Sequence, residues 1–259
     1  MKIEKKCFYF CVFIRSMIEV IPAIDLIDGK CVRLTQGNYA QKKVYSHNPL
    51  EVAKSFEAAG LRRLHLVDLD GAKAQHIVNY RILHSIATQT SLVIDFGGGL
   101  KTDADLRIAF DNGAAMVTGG SIAVKDPETF IRWITDYGSD KIILGADAKD
   151  GMIAVSGWTE TASLELTAFI ADYREKGIAQ VICTDIGRDG MMQGPAVELY
   201  RDLMKQFSGL LLIASGGVSC MEDIDALEKA GVQAVIAGKA IYEGKIKLQE
   251  LGKQLRNVK

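Results

Sequence analysis

Leu92-Val93-Ile94-Asp95-Phe96-Gly97-Gly98-Gly99 and Leu210-Leu211-Leu212-Ile213-Ala214-Ser215-Gly216-Gly217 decide the fold. Each is a short apolar run ending in adjacent glycines, and the pairs Gly98-Gly99 and Gly216-Gly217 lie 118 positions apart. The same offset carries Gly113 onto Gly231 and Gly120 onto Gly238. An offset of 117 carries Gly60 onto Gly177 and Asp68 onto Asp185, and one of 122 carries Asp25, Asp28 and Gly29 onto Asp147, Asp150 and Gly151. Ordered matches at a near-constant spacing indicate an internal repeat.

Working outward, eight apolar runs read as strands: Glu19–Ile24, Arg63–Val67, Leu92–Asp95, Ala115–Thr118, Ile142–Ala146, Gln180–Cys183, Leu210–Ala214 and Ala234–Ile236. Continuous apolar runs suit strands buried on both faces. Pro22 lacks an amide N–H, which predicts a bulge or a late start in the first strand. Helical stretches lie between the strands. Asn48-Pro49 and Asp126-Pro127 place a cap before a first-turn proline. Ser219-Cys220-Met221-Glu222 reads as a capping box, and Thr102-Asp103-Ala104-Asp105 as its acidic variant. Eight strand–helix units in about 240 residues predict one (β/α)₈ TIM barrel made of two (β/α)₄ halves, about 17–138 and 139–259. A doubly wound open sheet is the alternative.

Residues 1–16 (MKIEKKCFYFCVFIRS) stand before Met17 and the first strand, and are expected to lie outside the fold. The apolar run 7–14 is too short to span a bilayer, though a weak membrane-targeting role is its second reading. No segment holds 18 consecutive apolar residues, which predicts a soluble chain. A net charge of −1 gives no global sign of nucleic-acid or membrane binding. The five cysteines (7, 11, 31, 183 and 220) are odd in number and scattered, which suits a reducing cytoplasm rather than a disulfide framework. The histidines at 47, 65, 76 and 84 lack metal-ligand spacing, and no dinucleotide or P-loop fingerprint is present. No cofactor or metal is expected.

In a barrel of this kind chemistry sits at the C-terminal strand ends. Asp25 ends strand one and Asp147 ends strand five, opposite each other in a ring of eight, so they form a candidate acid/base pair. Gly98 and Gly99 follow strand three, and Gly119, Gly120 and Ser121 follow strand four. Gly216, Gly217, Gly238 and Lys239 repeat the arrangement after strands seven and eight. Glycine-rich strand ends let backbone N–H groups converge on an anion. Two such cradles predict a small-molecule ligand with a phosphate at each end. Thr184 could support a catalytic carboxylate. His65, Asp68, Trp158, Asp185 and Arg188 are possible ligand contacts, each with a structural alternative. The long polar segment Asp28–His47 reads as a loop, either a cover for the ligand or an inert excursion.

Ile21-Pro22-Ala23-Ile24-Asp25-Leu26 with Asp28-Gly29-Lys30, His65-Leu66-Val67-Asp68-Leu69-Asp70-Gly71-Ala72, Gly157-Trp158 and Asp185-Ile186-Gly187-Arg188-Asp189-Gly190 resemble one family. It is the phosphoribosylformimino-aminoimidazole carboxamide ribotide isomerases of histidine biosynthesis, and the likeness runs from Met17 to near the C-terminus. The resemblance implies a cofactor-free Amadori rearrangement of a bis-phosphorylated aminoaldose to an aminoketose. By the same resemblance Asp25 is the general base, Asp147 the general acid and Thr184 the supporting hydroxyl. Such a division requires Asp147 to be raised selectively above the usual carboxylate range. Many relatives carry Arg where this chain has Lys101, which weakens the case for a bidentate phosphate grip there.

Three rivals stand beside this reading. The sister cyclase, the imidazole glycerol phosphate synthase subunit, shares the duplicated barrel but has Pro-Cys-Leu-Asp where this chain has Pro22-Ala23-Ile24-Asp25; ring closure with ammonia would favour it. A dual-specificity isomerase would also act on phosphoribosylanthranilate and rescue a tryptophan auxotroph. A non-catalytic phosphosugar-binding barrel would keep the cradles without needing the aspartates. The expected protein is a cytoplasmic monomer with no nucleic-acid or membrane partner.

Overall fold

The computed structural model describes residues 17–155, 157, 158 and 160–256. The 1–16 extension, with Cys7 and Cys11, lies outside the described residues. In chain order the strands are β1 Glu19–Ile27, β2 Lys30–Thr35, β3 Asn38–Ser46, β4 Arg63–Asp68, β5 Val93–Gly97, β6 Met116–Gly119, β7 Ile142–Lys149, β8 Met152–Val155, β9 Glu160–Glu165, β10 Gln180–Asp185, β11 Leu211–Ser215 and β12 Ala234–Ala237. Eight of them pair in parallel in the order β1-β4-β5-β6-β7-β10-β11-β12, and β12 returns to β1. The ring is closed, so the molecule is a (β/α)₈ barrel and not an open sheet. These eight correspond to the eight predicted strands.

The first strand departs from expectation. It runs through Pro22 without the predicted bulge or late start. Pro22 pairs with Ala237 at the end of the β1–β12 register, and the β1–β4 register begins one residue later at Ala23. A missing N–H is tolerated best at such a changeover. The segment read as a loop over 28–47 is instead an antiparallel excursion, with β2 paired to β1 and β3 to β2. An equivalent excursion, β8 and β9, follows β7. Both open on an Asp-Gly turn: Asp28 and Gly29 have φ of 51° and 71°, and Asp150 and Gly151 have 52° and 79°. Positive φ at both central residues is the two-residue hairpin geometry that Asp-Gly favours.

The caps follow the sequence closely. The Asn48 side chain accepts from the Glu51 N–H, and that of Asp126 from the Thr129 N–H, each before a proline. Asp105 accepts from the Thr102 N–H at 2.9 Å and the Thr102 hydroxyl at 2.7 Å. At the repeat-related position it is Asp223, not Glu222, that closes the box. Asp223 accepts from the Ser219 N–H at 2.8 Å and the Ser219 hydroxyl at 2.6 Å. The helix begins at Met221, so the third helical residue is Asp223.

The main core lies between the strands and the encircling helices, with Leu26, Leu64, Phe96, Phe130, Trp133 and Tyr173 among its fully buried members. A smaller cluster fills the barrel itself: Ile21, Ala23, Met116, Ile143, Ile182, Ile213, Ala234 and Ile236. Strand side chains alternate between the two faces. The inward row therefore continues upward from this cluster, from Ala23 to Asp25, from Ile143 to Asp147 and from Ile182 to Thr184. Among the described residues no helix is long and apolar enough to cross a membrane.

Candidate active site

The inward row opens into a cavity of about 220 Å³ at the C-terminal strand ends. Asp25, Arg33, His65, Gly98, Gly99, Lys101, Gly119, Gly120, Ser121, Asp147, Trp158, Thr184 and Asp189 line it. The two predicted aspartates therefore share one chamber. A smaller cavity beside it is lined by Gly216, Gly217, Gly238 and Lys239 and shares Arg33, Asp189, Ser215 and Ile236 with the first. Each predicted cradle thus faces a cavity. Gly120 and Gly238, related by the 118 offset, have nearly the same backbone angles (φ −101°, ψ −80° and φ −116°, ψ −86°).

The two aspartates differ in what holds them. Asp25 makes an ion pair with Arg33, Oδ2 to NH1, at 2.9 Å. Burial raises its carboxyl above the ordinary range, while Arg33 and then His65 oppose the rise. Asp147 accepts a 2.8 Å hydrogen bond from Trp158 Nε1 and another from the Thr184 hydroxyl. Burial raises Asp147 as well, against those two neutral donors and the charge of His65. Burial thus raises both carboxyls, Asp147 as expected and Asp25 with it, because they stand in the same desolvated chamber. The distinction between them is chemical: a guanidinium favours the ionised form of Asp25, whereas Asp147 is held mainly by neutral donors.

Two charged residues enter that the sequence reading did not select. Arg33, on β2, bridges Asp25 and Asp189, whose nearer oxygen lies 3.8 Å from its NH2. The Arg33 guanidinium also packs directly on Gly238, where a Cβ would overlap it. Asp189 lies in the loop after β10, and burial pushes it up to about 6 despite Arg33. A carboxyl raised on folding binds its proton more tightly in the folded state than in the unfolded chain. Asp189 therefore costs stability above pH 6, and the cost fades as the pH falls from 6 toward 4. Asp189→Asn should stabilise the ligand-free protein by about 2 kcal/mol at pH 8, with the gain shrinking at lower pH. Urea unfolding midpoints at several pH values measure this; a gain independent of pH would refute the assignment.

Trp158 lies across the mouth with φ +70°. Its ring covers Gly37 so closely that a Cβ there would meet ring carbons. Gly37, at the tip of the β2–β3 hairpin, and Trp158, after β8, thereby meet over the chamber. Lys101 stands at the first cradle, and burial, then the charge of Lys125, lowers its ammonium below the usual lysine range.

Three candidate contacts are not brought to either cavity wall. Asp68 is fully buried, and its carboxylate accepts from the N–H groups of Gly71, Val78 and Asn79 and from the Asn79 side chain at 2.6–2.8 Å. It pins the loop after β4. Asp185 and Arg188 pair with each other at 3.4 Å, and Arg188 also donates to the Gly194 carbonyl at 3.0 Å. They brace the loop that carries Asp189. Asp95, unremarked in the sequence beyond its place in a strand, sits completely buried beneath His65. Its inward position was readable from the period of two, since Gly97 and the cradle follow it on the same face.

The family described as histidine biosynthesis protein matches residues 19–247. A protein of Parabacteroides distasonis named 1-(5-phosphoribosyl)-5-((5-phosphoribosylamino)methylideneamino)imidazole-4-carboxamide isomerase is 67% identical over 235 residues, covering 91% of this chain and 98% of its own. Proteins of the same name from Bacteroides fragilis, 64% identical with the same coverage, and Flavobacterium johnsoniae, 61% identical over 90% of this chain and 98% of theirs, are similar as well. With a shared chamber, paired aspartates and this extent of likeness, the chain belongs to the histidine biosynthesis protein family, among its imidazole-4-carboxamide isomerases.

Proposed function

We propose that the chain converts a bis-phosphorylated aminoaldose ribotide to its aminoketose by an Amadori rearrangement, with no cofactor. The observation that carries this reading is the placement of Asp25 and Asp147 on one buried chamber that both glycine cradles flank. The relatives' name contains two phosphoribosyl groups, and a cradle at each side suits a ligand of that shape. Held by its ends, the ligand would have its reacting ribose between the aspartates. Asp147 protonates the ring oxygen and opens the sugar. Asp25, kept ionised by Arg33, then takes the C2 proton, and the resulting enolamine tautomerises to the ketose. Thr184 orients Asp147. Trp158 excludes water and orients the same carboxyl from above.

A second assignment of the acid has one observation in its favour: Asp189 is raised to about 6, close to the pH at which a general acid works best. The pH dependence of kcat/KM, followed by absorbance with the bis-phosphorylated aminoaldose, separates the two. If Asp147 is the acid, the alkaline limb disappears in Asp147→Asn and persists in Asp189→Asn; the reverse outcome moves the role to Asp189. Formation of an imidazole ring with ammonia and the cyclase substrate would overturn the isomerase reading. We further propose that the enzyme acts in the cytoplasm as a monomer, without a nucleic-acid or membrane partner. Its scattered cysteines and balanced charge support this.

A further inference from the structure

Beneath the two aspartates lies a histidine–aspartate pair that the proton transfers above do not use. His65 on β4 and Asp95 on β5 are register partners, and His65 Nδ1 stands 2.6 Å from Asp95 Oδ1. The Thr118 hydroxyl donates to the same oxygen at 2.9 Å. Asp95 is wholly buried, and its Oδ2 has no hydrogen-bond partner. A buried carboxylate so poorly satisfied is expensive for a fold to keep unless a cation neutralises it. The imidazole is the group in contact with it, and a distance of 2.6 Å suits a charge-assisted bond.

The His65 ring is also part of the chamber wall, and among the described residues its Nε2 makes no hydrogen bond. The charged groups around it come from four strands: Asp25 from β1, Arg33 from β2, Asp95 from β5 and Asp147 from β7. Burial and Arg33 oppose a charge on the ring, and Asp95 and Asp25 outweigh them, so its net shift is upward.

We propose that Asp95 is a positioning residue that holds His65 as an imidazolium, its Nε2–H presented to the substrate's sugar oxygens between Asp25 and Asp147. The inference rests on the isomerase reading of the chamber. Nδ1 is committed to Asp95, so the free edge of the ring is a donor that cannot become an acceptor while the proton stays. The fixed positive charge also helps to keep Asp25 ionised, as a neutral ring would not. A neutral amide at position 95 would fill the same space and still accept from Nδ1, without holding the ring charged.

The test is the titration of the His65 ring by ¹⁵N NMR in the parent and in Asp95→Asn, with His65→Asn identifying the signal. It is paired with kcat and KM measured from pH 6 to 9. The expected parent ring is protonated at pH 7.5, and the ring in Asp95→Asn is neutral there. In that variant kcat at pH 7.5 falls at least tenfold, recovers as the pH is lowered toward 6, and KM stays within about threefold. Asp95→Glu should restore the charge and part of the rate. A neutral ring in the parent at pH 7.5, or a loss of rate equal at every pH, would overturn the proposal. The parent titration, assigned with His65→Asn, needs neither Asp95→Asn nor substrate. It therefore decides the charge of His65 if Asp95→Asn does not fold, and if the isomerase reading fails.

Discussion

Asp25→Asn should lower kcat for the bis-phosphorylated aminoaldose by about 10³-fold or more while leaving the protein folded, since a positioned general base contributes up to about 10⁴-fold. The amide is nearly isosteric, so the end of β1 keeps its packing. Arg33 loses its 2.9 Å partner but retains Asp189. KM should change little, because no cradle residue is altered and Asp25 lines only the larger of the two cavities. Steady-state kinetics with a thermal-melt control measures both quantities. A variant retaining more than a tenth of the parental kcat would remove Asp25 from the role of base.

Gly98→Ala should destabilise the fold by about 3–5 kcal/mol, from about 1–2 for a side chain in the left-handed region and the rest from overlap. Gly98 has φ +95°, and a Cβ there would run into the Asp68 backbone carbonyl. Neither party can move cheaply: the Asp68 carboxylate is held by four hydrogen bonds, and Gly98 continues directly from β5. Gly60 provides the control, with φ +89° and nothing within 4 Å of its Cβ position. Gly60→Ala should cost only the backbone part. Gly216, at φ +95° with its Cβ position 2.7 Å from the Asp185 carbonyl, should behave like Gly98. Chemical denaturation of the three variants checks this, and equal losses at Gly60 and Gly98 would contradict the close-packing argument.

The barrel was legible because its signals are local. Apolar runs such as Ile142–Ala146 mark strands, Asn48-Pro49 and Thr102 with Asp105 mark helix starts, and the glycine pairs 118 apart mark equivalent strand ends. Asp25 and Asp147 were legible for the same reason, since each directly follows an apolar run, although β1 and β7 continue two residues past them. What escaped the reading depends on contacts between distant segments. Arg33 becomes an active-site residue only because β2 folds back antiparallel on β1, and Asp189 only because its loop packs against that hairpin. The Asp28-Gly29 and Asp150-Gly151 turns carried the hairpin signal, but β3 is polar and exposed, Arg33 interrupts the apolar residues of β2, and the apolar run of β8 is only four residues long. Asp68, Asp185 and Arg188 show the converse. As motif residues near strand ends they resembled ligand contacts, yet their hydrogen bonds are spent on bracing loops.

The central claim is that two cradles grip a two-headed anion so that its middle lies between Asp25 and Asp147. The most direct test compares kcat/KM for the bis-phosphorylated aminoaldose with that for its two analogues lacking one phosphate or the other. Several charge-assisted hydrogen bonds are lost with each phosphate, so each analogue should fall by about 10²-fold or more. An analogue turned over as efficiently as the intact substrate would show that one cradle does not hold it, and would contradict the account.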